Sequence, residues 1–264
     1  MTGSTHEVVA VRYATRATTK GECFYRYESY GEPDGPLGMD YFFYVLRNGP
    51  RTALVDTGFD PEVGERRGRT LLCPPLEALA RLGVAPESVS QVIVTHFHYD
   101  HIGNLGGFPT AELVVPQREL DFWSGPDGSR FQFAAHVEAR EVARIVAAQR
   151  SGRVRCLQGS ELVGPGISAV CVGGHSPGQQ VLVVDSPSGS VVLASDALHY
   201  YEELELDRPF EIFVDLEETY RAFDTVRELS ERPDAVLVAG HDPLVCERFP
   251  RLTGDAAEVG YRIA

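Results

Sequence analysis

The sequence predicts an α/β fold in which two mixed β-sheets pack together with helices outside, an αββα sandwich. Two observations predict it. Short apolar segments rich in β-branched residues alternate with amphipathic helical segments in both halves of the chain. The length of 264 residues, with 43% hydrophobic content, is also enough to bury a substantial core. We therefore expect a single domain over residues 1–264.

The first half begins with apolar segments that favour strands, followed by a helix. Pro75 suits the first turn of that helix, and Gly83 suits the position just past its end. The predicted strands cover 8–13, 41–46, 52–55 and 91–94, and the predicted helix covers 75–82.

The second half repeats the alternation after Gln158. Its helix places apolar residues three positions apart, which buries one face. Turn residues mark 32–36 and 124–128 as loops. The predicted strands of this half cover 167–172, 180–184 and 190–194, and the helix covers 217–229.

Metal-ligand chemistry is concentrated directly after the strand at 91–94. Three histidines and an aspartate occupy six positions there, and no packing requirement explains that pattern. Imidazole and carboxylate together suit zinc and its first-row neighbours. The segment indicates half of a two-metal site, formed by His96, His98, Asp100 and His101.

Three single residues could complete the site. They are His175, Asp196 and His241, and each follows a short apolar segment or the glycine-rich turn that ends one. Together with the strand at 91–94, four strand ends therefore present possible metal ligands. His6 and His136 have no such context, and we interpret both as ordinary surface or core residues.

With these motifs, the chain resembles the metallo-β-lactamase superfamily, and within it the N-acyl homoserine lactonases and related lactone hydrolases such as 4-pyridoxolactonase. The resemblance runs from the segments 41–45 and 54–58 to the Gly240-His241-Asp242 triplet. It implies two divalent metal ions, zinc first, with manganese, iron or cobalt as alternatives. It places Asp56 beneath the site, where it would orient ligand imidazoles. The implied ligands are His96, His98 and His175 for the first metal, Asp100, His101 and His241 for the second, and Asp196 as the bridge between them.

The resemblance implies hydrolysis of a small lactone or ester by attack of a metal-bridging hydroxide. Asp100 is the candidate that carries a proton to the leaving oxygen. Thioesterases of the glyoxalase II type share all seven ligands and remain the main alternative. A non-catalytic metal-binding protein on the same fold is a further alternative.

One position departs from the lactonase pattern. Those enzymes carry a tyrosine three residues after the bridging aspartate, and this chain has His199 there, followed by Tyr200 and Tyr201. His199 could take the role of the tyrosine at the pocket mouth, or it could be a solvent-facing loop residue. Alternatively, Tyr200 or Tyr201 could reach the substrate, or the substrate is no acyl homoserine lactone. An aromatic set, either an acyl channel or helix-packing core, comprises Phe108, Phe122, Trp123, Phe131 and Phe133.

Composition narrows the partners. A formal net charge of −14 disfavours nucleic acid, because phosphate binding depends on Lys and Arg, and favours a neutral small substrate. No apolar segment is long enough to span a membrane. Five scattered cysteines and the absence of a signal sequence predict a cytoplasmic protein with reduced thiols. The oligomeric state is open, and a homodimer is compatible with the sequence.

Overall fold

Two β-sheets dominate the computed structural model, which describes residues 4–264. Within that range the strands number thirteen, β1 to β13. In chain order they are Glu7–Thr19, Pro36–Asn48, Arg51–Val55, Thr70–Leu71, Val89–Ile93, Glu112–Pro116, Val154–Leu157, Glu161–Gly164, Ile167–Cys171, Gln180–Ser186, Gly189–Leu193, Ala235–Val238 and Gly260–Arg262.

The helices lie between these strands. Over the described residues there are ten α-helices, α1 to α10, besides short 3-10 turns. In chain order they are Lys20–Cys23, Pro61–Arg66, Pro75–Arg81, Tyr99–Ile102, Gln117–Ser124, Phe131–Ala134, Ala139–Arg150, Tyr201–Leu206, Leu216–Ser230 and Leu244–Arg248. None of these helices is long and apolar enough to cross a membrane.

Both sheets are mixed. The large sheet has the order β13-β1-β2-β3-β5-β6-β7, with β4 paired to β1, and the small sheet has the order β12-β11-β10-β9-β8. The pairs from β3 to β7 are parallel, as is the pair β11 and β12, whereas the remaining pairs are antiparallel. Parallel strands end at the same edge of a sheet, so the loops after β5 and β11 can each carry converging side chains.

Strand β1 shows how the layers are built. Val9 and Val11 belong to the core that the large sheet shares with α3, α5 and α7. Val8 and Ala10 belong to the second core, which also contains the inward residues of the small sheet and the buried face of α9. Because successive side chains of a strand point to opposite faces, both faces of the large sheet are covered. The αββα sandwich predicted from the sequence is confirmed.

The predicted elements are found with changes at their ends. Helix α3 starts at Pro75 and is followed by Gly83, whose φ of +71° ends it as expected. Strand β1 runs to Thr19 rather than to residue 13, because its long pairing with β2 continues past an irregularity after Arg12. The strands predicted for the second half of the chain belong to the small sheet, whose first strand in the chain is β8. Strand β13 returns to the large sheet beside β1, which the two-half pattern did not predict.

Candidate metal centre

The large sheet delivers four of the predicted ligands at one strand end. Strand β5 ends at Ile93, and the chain then passes through His96 and His98 into the short helix α4. Asp100 and His101 lie in that helix. All four side chains are buried, so these polar groups need partners from the protein or from a bound ion.

The small sheet delivers the other three ligands. His175 follows β9, Asp196 follows β11 and His241 follows β12. The last two loops touch, since a Cβ on Gly240 would lie 2.5 Å from the carbonyl oxygen of Ser195. Only glycine allows this approach, which sets His241 beside Asp196.

The seven predicted ligands form two adjacent buried clusters. The first contains His96, His98, His175 and Asp196, and the second contains Asp100, His101 and His241. Asp196 faces both. Its Oδ2 lies 3.7 Å from His96 Nε2 and 3.4 Å from His175 Nε2, and its Oδ1 lies 3.2 Å from the Nε2 atoms of both His101 and His241. One carboxylate thus turns one oxygen to each cluster.

The donor atoms fit a pair of divalent cations. Within residues 4–264 the buried Nε2 atom of His96 has no hydrogen-bond partner, which is costly in a folded protein unless something else satisfies it. His98 Nδ1 and His175 Nε2 lie 2.9 Å apart, so both atoms point into the first cluster. Imidazole and carboxylate donors in two groups of three or four match zinc and related metals.

The opposite ring nitrogens of three ligands are fixed by the protein. His101 Nδ1 lies 2.8 Å from Asp56 Oδ2, which agrees with the position expected for Asp56. His175 Nδ1 lies 2.8 Å from the carbonyl oxygen of Ile212, and His241 Nδ1 lies 2.8 Å from that of Asp40. Each contact turns the Nε2 atom of its ring toward the clusters, as is usual around protein-bound metals.

Protonation differs between the two clusters. Burial lowers the pKa of His96, His98 and His175 well below the usual value, so these imidazoles stay neutral and keep a free lone pair at pH 7. Burial acts on His101 in the same direction, but the carboxylates of Asp196, Asp56 and Asp100 outweigh it and raise its pKa well above the usual value. In the metal-free protein His101 is therefore the protonated member.

A cavity of about 260 Å³ opens above the clusters. It exposes members of both clusters together with Tyr41, Tyr99 and Phe210. A second cavity, of about 320 Å³, meets it at His98, His136 and His175. A small organic molecule could therefore reach both clusters at once.

His199 is buried on the wall of the first cavity rather than facing solvent. Its ring stacks on Phe210 with centroids 3.7 Å apart. Its Nε2 lies 3.2 Å from Asp196 Oδ2, and its Nδ1 lies 3.4 Å from Glu203 Oε1. Burial lowers its pKa, but these two carboxylates outweigh that effect and raise it to about 9. The pocket location expected for His199 agrees with the structure, whereas the solvent-facing alternative does not.

Tyr200 is not brought to the site. Its hydroxyl donates to the carbonyl oxygen of Gly38 at 3.2 Å and lies 3.6 Å from Cys23 Sγ, away from the clusters. The hydroxyl of Tyr201 donates to the carbonyl oxygen of Leu237. The expectation that one of these tyrosines reaches the substrate therefore disagrees with the structure. The cause is the start of α8, whose first turn aims Tyr200 into the core.

Several cavity residues escaped the sequence analysis. His136, interpreted there as an ordinary residue, lies with its ring centroid 5.5 Å from that of His98. The aromatic set divides: Trp123 and Phe133 line the second cavity, Phe108 lies in the core and Phe131 is 87% exposed. No sequence signal marks His136, because no strand precedes it.

Glu119 was also missed. This carboxylate is fully buried in α5 and accepts four hydrogen bonds. The donors are the backbone N–H of Phe97, the indole of Trp123, the hydroxyl of Ser176 and the backbone N–H of Gly178. Two of these donors are sequence neighbours of ligands, so Glu119 ties the His96–His98 loop to the His175 loop.

The described geometry can be compared with known proteins. A family model of the metallo-beta-lactamase superfamily matches residues 40–241, which is more than three quarters of the chain. The chain belongs to the metallo-β-lactamase superfamily. The matched range of this superfamily member contains all seven ligands and both cavities' histidines, so the resemblance stated from the motifs is confirmed.

Relatives of this superfamily member include N-acyl homoserine lactonases. AiiA of Bacillus thuringiensis subsp. kurstaki is 26% identical over 236 residues, covering 83% of this chain and 88% of that protein. AttM of Azorhizobium caulinodans is 31% identical over 178 residues, covering 66% of this chain and 65% of that protein.

Solved structures share the fold. A quorum-quenching N-acyl homoserine lactone lactonase superposes with a TM-score of 0.73 at 22% identity, covering 92% of this chain and 95% of that one. AbOPH, a hydrolase of the β-lactamase superfamily, superposes with a TM-score of 0.68 at 18% identity, covering 99% and 97%. At such identities the likeness establishes the fold of this superfamily member and leaves its substrate to the site's own chemistry.

Proposed function

We propose that this member of the metallo-β-lactamase superfamily is a dinuclear metal-dependent hydrolase that opens a lactone or another small ester. The observation that carries the proposal is the position of Asp196, which turns one oxygen toward each of two buried ligand clusters beneath a cavity. The lactonase activity of the relatives supports a lactone as the first substrate to test.

The first cluster would hold one divalent ion and the second cluster the other, with Asp196 shared. When bound, such ions lower the pKa of water toward about 7 and polarise a carbonyl oxygen, which supplies a nucleophile and an electrophile at neutral pH. Zinc is the first candidate, and manganese, iron and cobalt accept the same ligands.

Asp100 is the residue best placed to move a proton. Its carboxylate borders the cavity and lies 3.9 Å from both His101 Nε2 and His241 Nε2. In this position it would accept a proton from the attacking water and pass it to the leaving oxygen when the C–O bond breaks, so that this oxygen becomes the hydroxyl of the ring-opened product.

His199 positions the substrate carbonyl. Its ring is fixed between Asp196, Glu203 and Phe210, and it borders the cavity. An imidazole carries at least one ring N–H in either protonation state, so His199 can donate a hydrogen bond to a group in the cavity. We propose this donor in place of the tyrosine that the lactonases carry.

The second cavity would accept the acyl part. Trp123 and Phe133 line it, and Phe213 adds a third ring beside Ile212 and Val214. These apolar walls meet the first cavity at His98. A lactone with a short apolar acyl chain, such as an N-acyl homoserine lactone, would fit both cavities.

The test is a substrate panel with metal-reconstituted protein. It comprises N-acyl homoserine lactones, simple γ-lactones, thioesters and a chromogenic β-lactam. We expect lactones to be opened fastest. Preferential cleavage of thioesters would instead assign the protein to the thioesterases, and no turnover of any of them would contradict a hydrolytic function.

Matched histidine variants separate the metal site from general effects on folding. His98 and His6 are both buried, but only His98 belongs to a ligand cluster. We expect His98→Ala and Asp196→Ala to lose most of the activity and bound metal while remaining folded, and His6→Ala to retain both. An Asp196→Ala protein with near wild-type kcat would contradict the shared-ligand assignment.

A further inference from the structure

The lining of the first cavity includes three basic residues. Arg16, Arg67 and Arg69 all line it, in a chain whose formal net charge is −14. The carboxylates that line the same cavity are Asp100 and Asp196, both members of the ligand clusters. Once the clusters hold metals, arginines and metals together would give this cavity a positive potential.

The three arginines differ in what their guanidinium groups already bind. Arg67 donates through Nε and Nη2 to Glu138 and through Nη1 to the carbonyl oxygen of Ala135. Arg16 donates from Nη2 to Thr18 Oγ1 and lies 3.4 Å from Glu22 Oε2. Both therefore have partners within the protein.

Arg69 is different. Its Nε donates to the Tyr99 hydroxyl at 2.9 Å, and over residues 4–264 its guanidinium makes no other side-chain hydrogen bond and no ion pair. The side chain is half-buried. Arginine remains charged throughout the physiological pH range and carries five N–H donors, so both Nη groups are left for a ligand.

The position of Arg69 relative to the metal clusters favours a ligand that spans both. The Tyr41 ring centroid lies 5.9 Å from Arg69 Cζ and 5.1 Å from the centroid of the His241 ring, so one aromatic ring separates the guanidinium from the second cluster. Burial lowers the pKa of Arg69, and the neighbouring groups that raise it include one carboxylate, that of Asp100. A metal bound beside Asp100 would offset the charge of this carboxylate.

We propose that Arg69, assisted by Arg16, binds an oxyanion group on the substrate while the ester or lactone carbonyl lies over the ligand clusters. This rests on the proposed hydrolase function. The group would be a carboxylate or a phosphate, which a planar guanidinium binds through two parallel hydrogen bonds. The substrate is then an anionic ester or lactone, in contrast to the neutral substrate that the net charge favoured.

A purely structural role for Arg69 makes a different prediction. Its bond to Tyr99 could simply hold that ring against the cavity wall. In that case removal of the charge would affect neutral and anionic substrates equally. The ratio of kcat/KM for an anionic substrate to that for its neutral counterpart therefore separates the two roles.

The kinetic experiment uses methyl hexanoate, monomethyl adipate and the methyl ester of 6-phosphooxyhexanoate, in which the six-carbon acid chain leads from the reacting carbonyl to a methyl group, a carboxylate or a phosphate monoester. We expect wild-type enzyme to prefer one anionic chain, and Arg69→Gln to lower the anionic-to-neutral ratio about 10–100-fold. Whichever anion loses more identifies the group. Arg221→Gln, which removes an exposed arginine of α9, should leave the ratio unchanged. An unchanged ratio in Arg69→Gln would overturn the proposal.

A binding experiment keeps this proposal separate from the proposed function. Calorimetry with metal-loaded protein compares adipate with hexanoate, which differ by the second carboxylate. We expect adipate to bind about 10-fold more tightly to wild type, and Arg69→Gln to remove that difference. A difference that depends on Arg69 without lactone turnover would support the oxyanion site and contradict the hydrolase. Lactone turnover without any difference between adipate and hexanoate would support the hydrolase and contradict the oxyanion site.

If Arg69→Gln does not fold, two further variants still test the proposal. Arg69→Lys keeps the charge but not the planar donor fork, and should give an intermediate anionic-to-neutral ratio. Arg16→Gln leaves Arg69 in place and should lower the ratio less. Wild-type ratios in both would overturn the proposal.

Discussion

The Ser176 hydroxyl donates to Glu119 Oε1 at 2.6 Å, and this bond joins a helix of one half of the chain to a ligand loop of the other. The second oxygen of Glu119 accepts from the backbone N–H of Phe97 between two ligand histidines. Burial raises the pKa of Glu119, while its four donors act in the opposite direction. The four hydrogen bonds therefore stabilise the buried carboxylate, and through them Glu119 fixes the two loops relative to each other.

We expect Glu119→Gln to lower the free energy of unfolding by about 1–3 kcal/mol, because the new amide N–H₂ would face donors rather than acceptors. Metal affinity should fall as well, since both loops lose an anchor. Thermal unfolding and elemental analysis measure these effects. Asp121→Asn, in the exposed face of the same helix, is the control and should change neither. Wild-type stability and metal content in Glu119→Gln would show that the four bonds do not position the loops.

Metal content is the second prediction. Protein purified without chelator should hold about two divalent ions per chain, since two clusters of ligands are present. Chelation should lower Tm, because an ion that binds only the folded state stabilises it by about 4 kcal/mol at a thousand-fold excess over its Kd. Differential scanning calorimetry with and without chelator checks this. Identical unfolding curves, with metal absent and activity intact, would contradict the dinuclear site.

The third prediction concerns the number of protons that the protein releases when it binds metal. Because the pKa of His101 is raised well above its usual value, metal binding at pH 7 must displace its proton, whereas His96, His98 and His175 are already neutral. We expect release of at least one proton on full loading, from His101 and in part from the metal-bound water, and weaker binding as the pH falls. Calorimetric titration with zinc in buffers of different ionisation enthalpy measures this. Asp56→Asn should reduce the release, because Asp56 is one of the carboxylates that raise the pKa.

The fourth prediction tests His199. His199→Phe keeps the stacked ring on Phe210 but removes both nitrogens, so a lower kcat/KM would report the lost donor rather than a packing defect. We expect a decrease of about 10–100-fold, equal to about 1.4–2.7 kcal/mol of transition-state stabilisation, mainly in kcat. His199→Tyr should recover part of it. Unchanged kinetics in both variants would remove His199 from the mechanism.

The clustering of the seven candidate ligands could be predicted because their signal is local. The spacing from His96 to His101 is written in six consecutive residues after an apolar strand. His175, Asp196 and His241 each follow a strand that the sequence predicts, and the order of these strands in the small sheet brings the three side chains together. The same local reasoning predicted the αββα layers from the alternation of apolar segments.

Residues whose role depends on tertiary packing could not be predicted in this way. Glu119 lies in an amphipathic helix, where a carboxylate ordinarily faces solvent, and only the docking of the His175 loop buries it. Arg69 precedes a two-residue strand far from any ligand in sequence. Tyr200 was considered because it follows His199 in the chain, but the direction of its side chain depends on where α8 starts.

The division of the ligands between two sheets has a consequence for how the protein matures. His96, His98, Asp100 and His101 follow a strand of the large sheet, whereas His175, Asp196 and His241 follow strands of the small one. The last candidate ligand follows β12, which pairs with β11 in the small sheet. A complete pair of metal clusters therefore requires both sheets to be folded and packed together, and bound ions would stabilise the contact between the two halves of the chain.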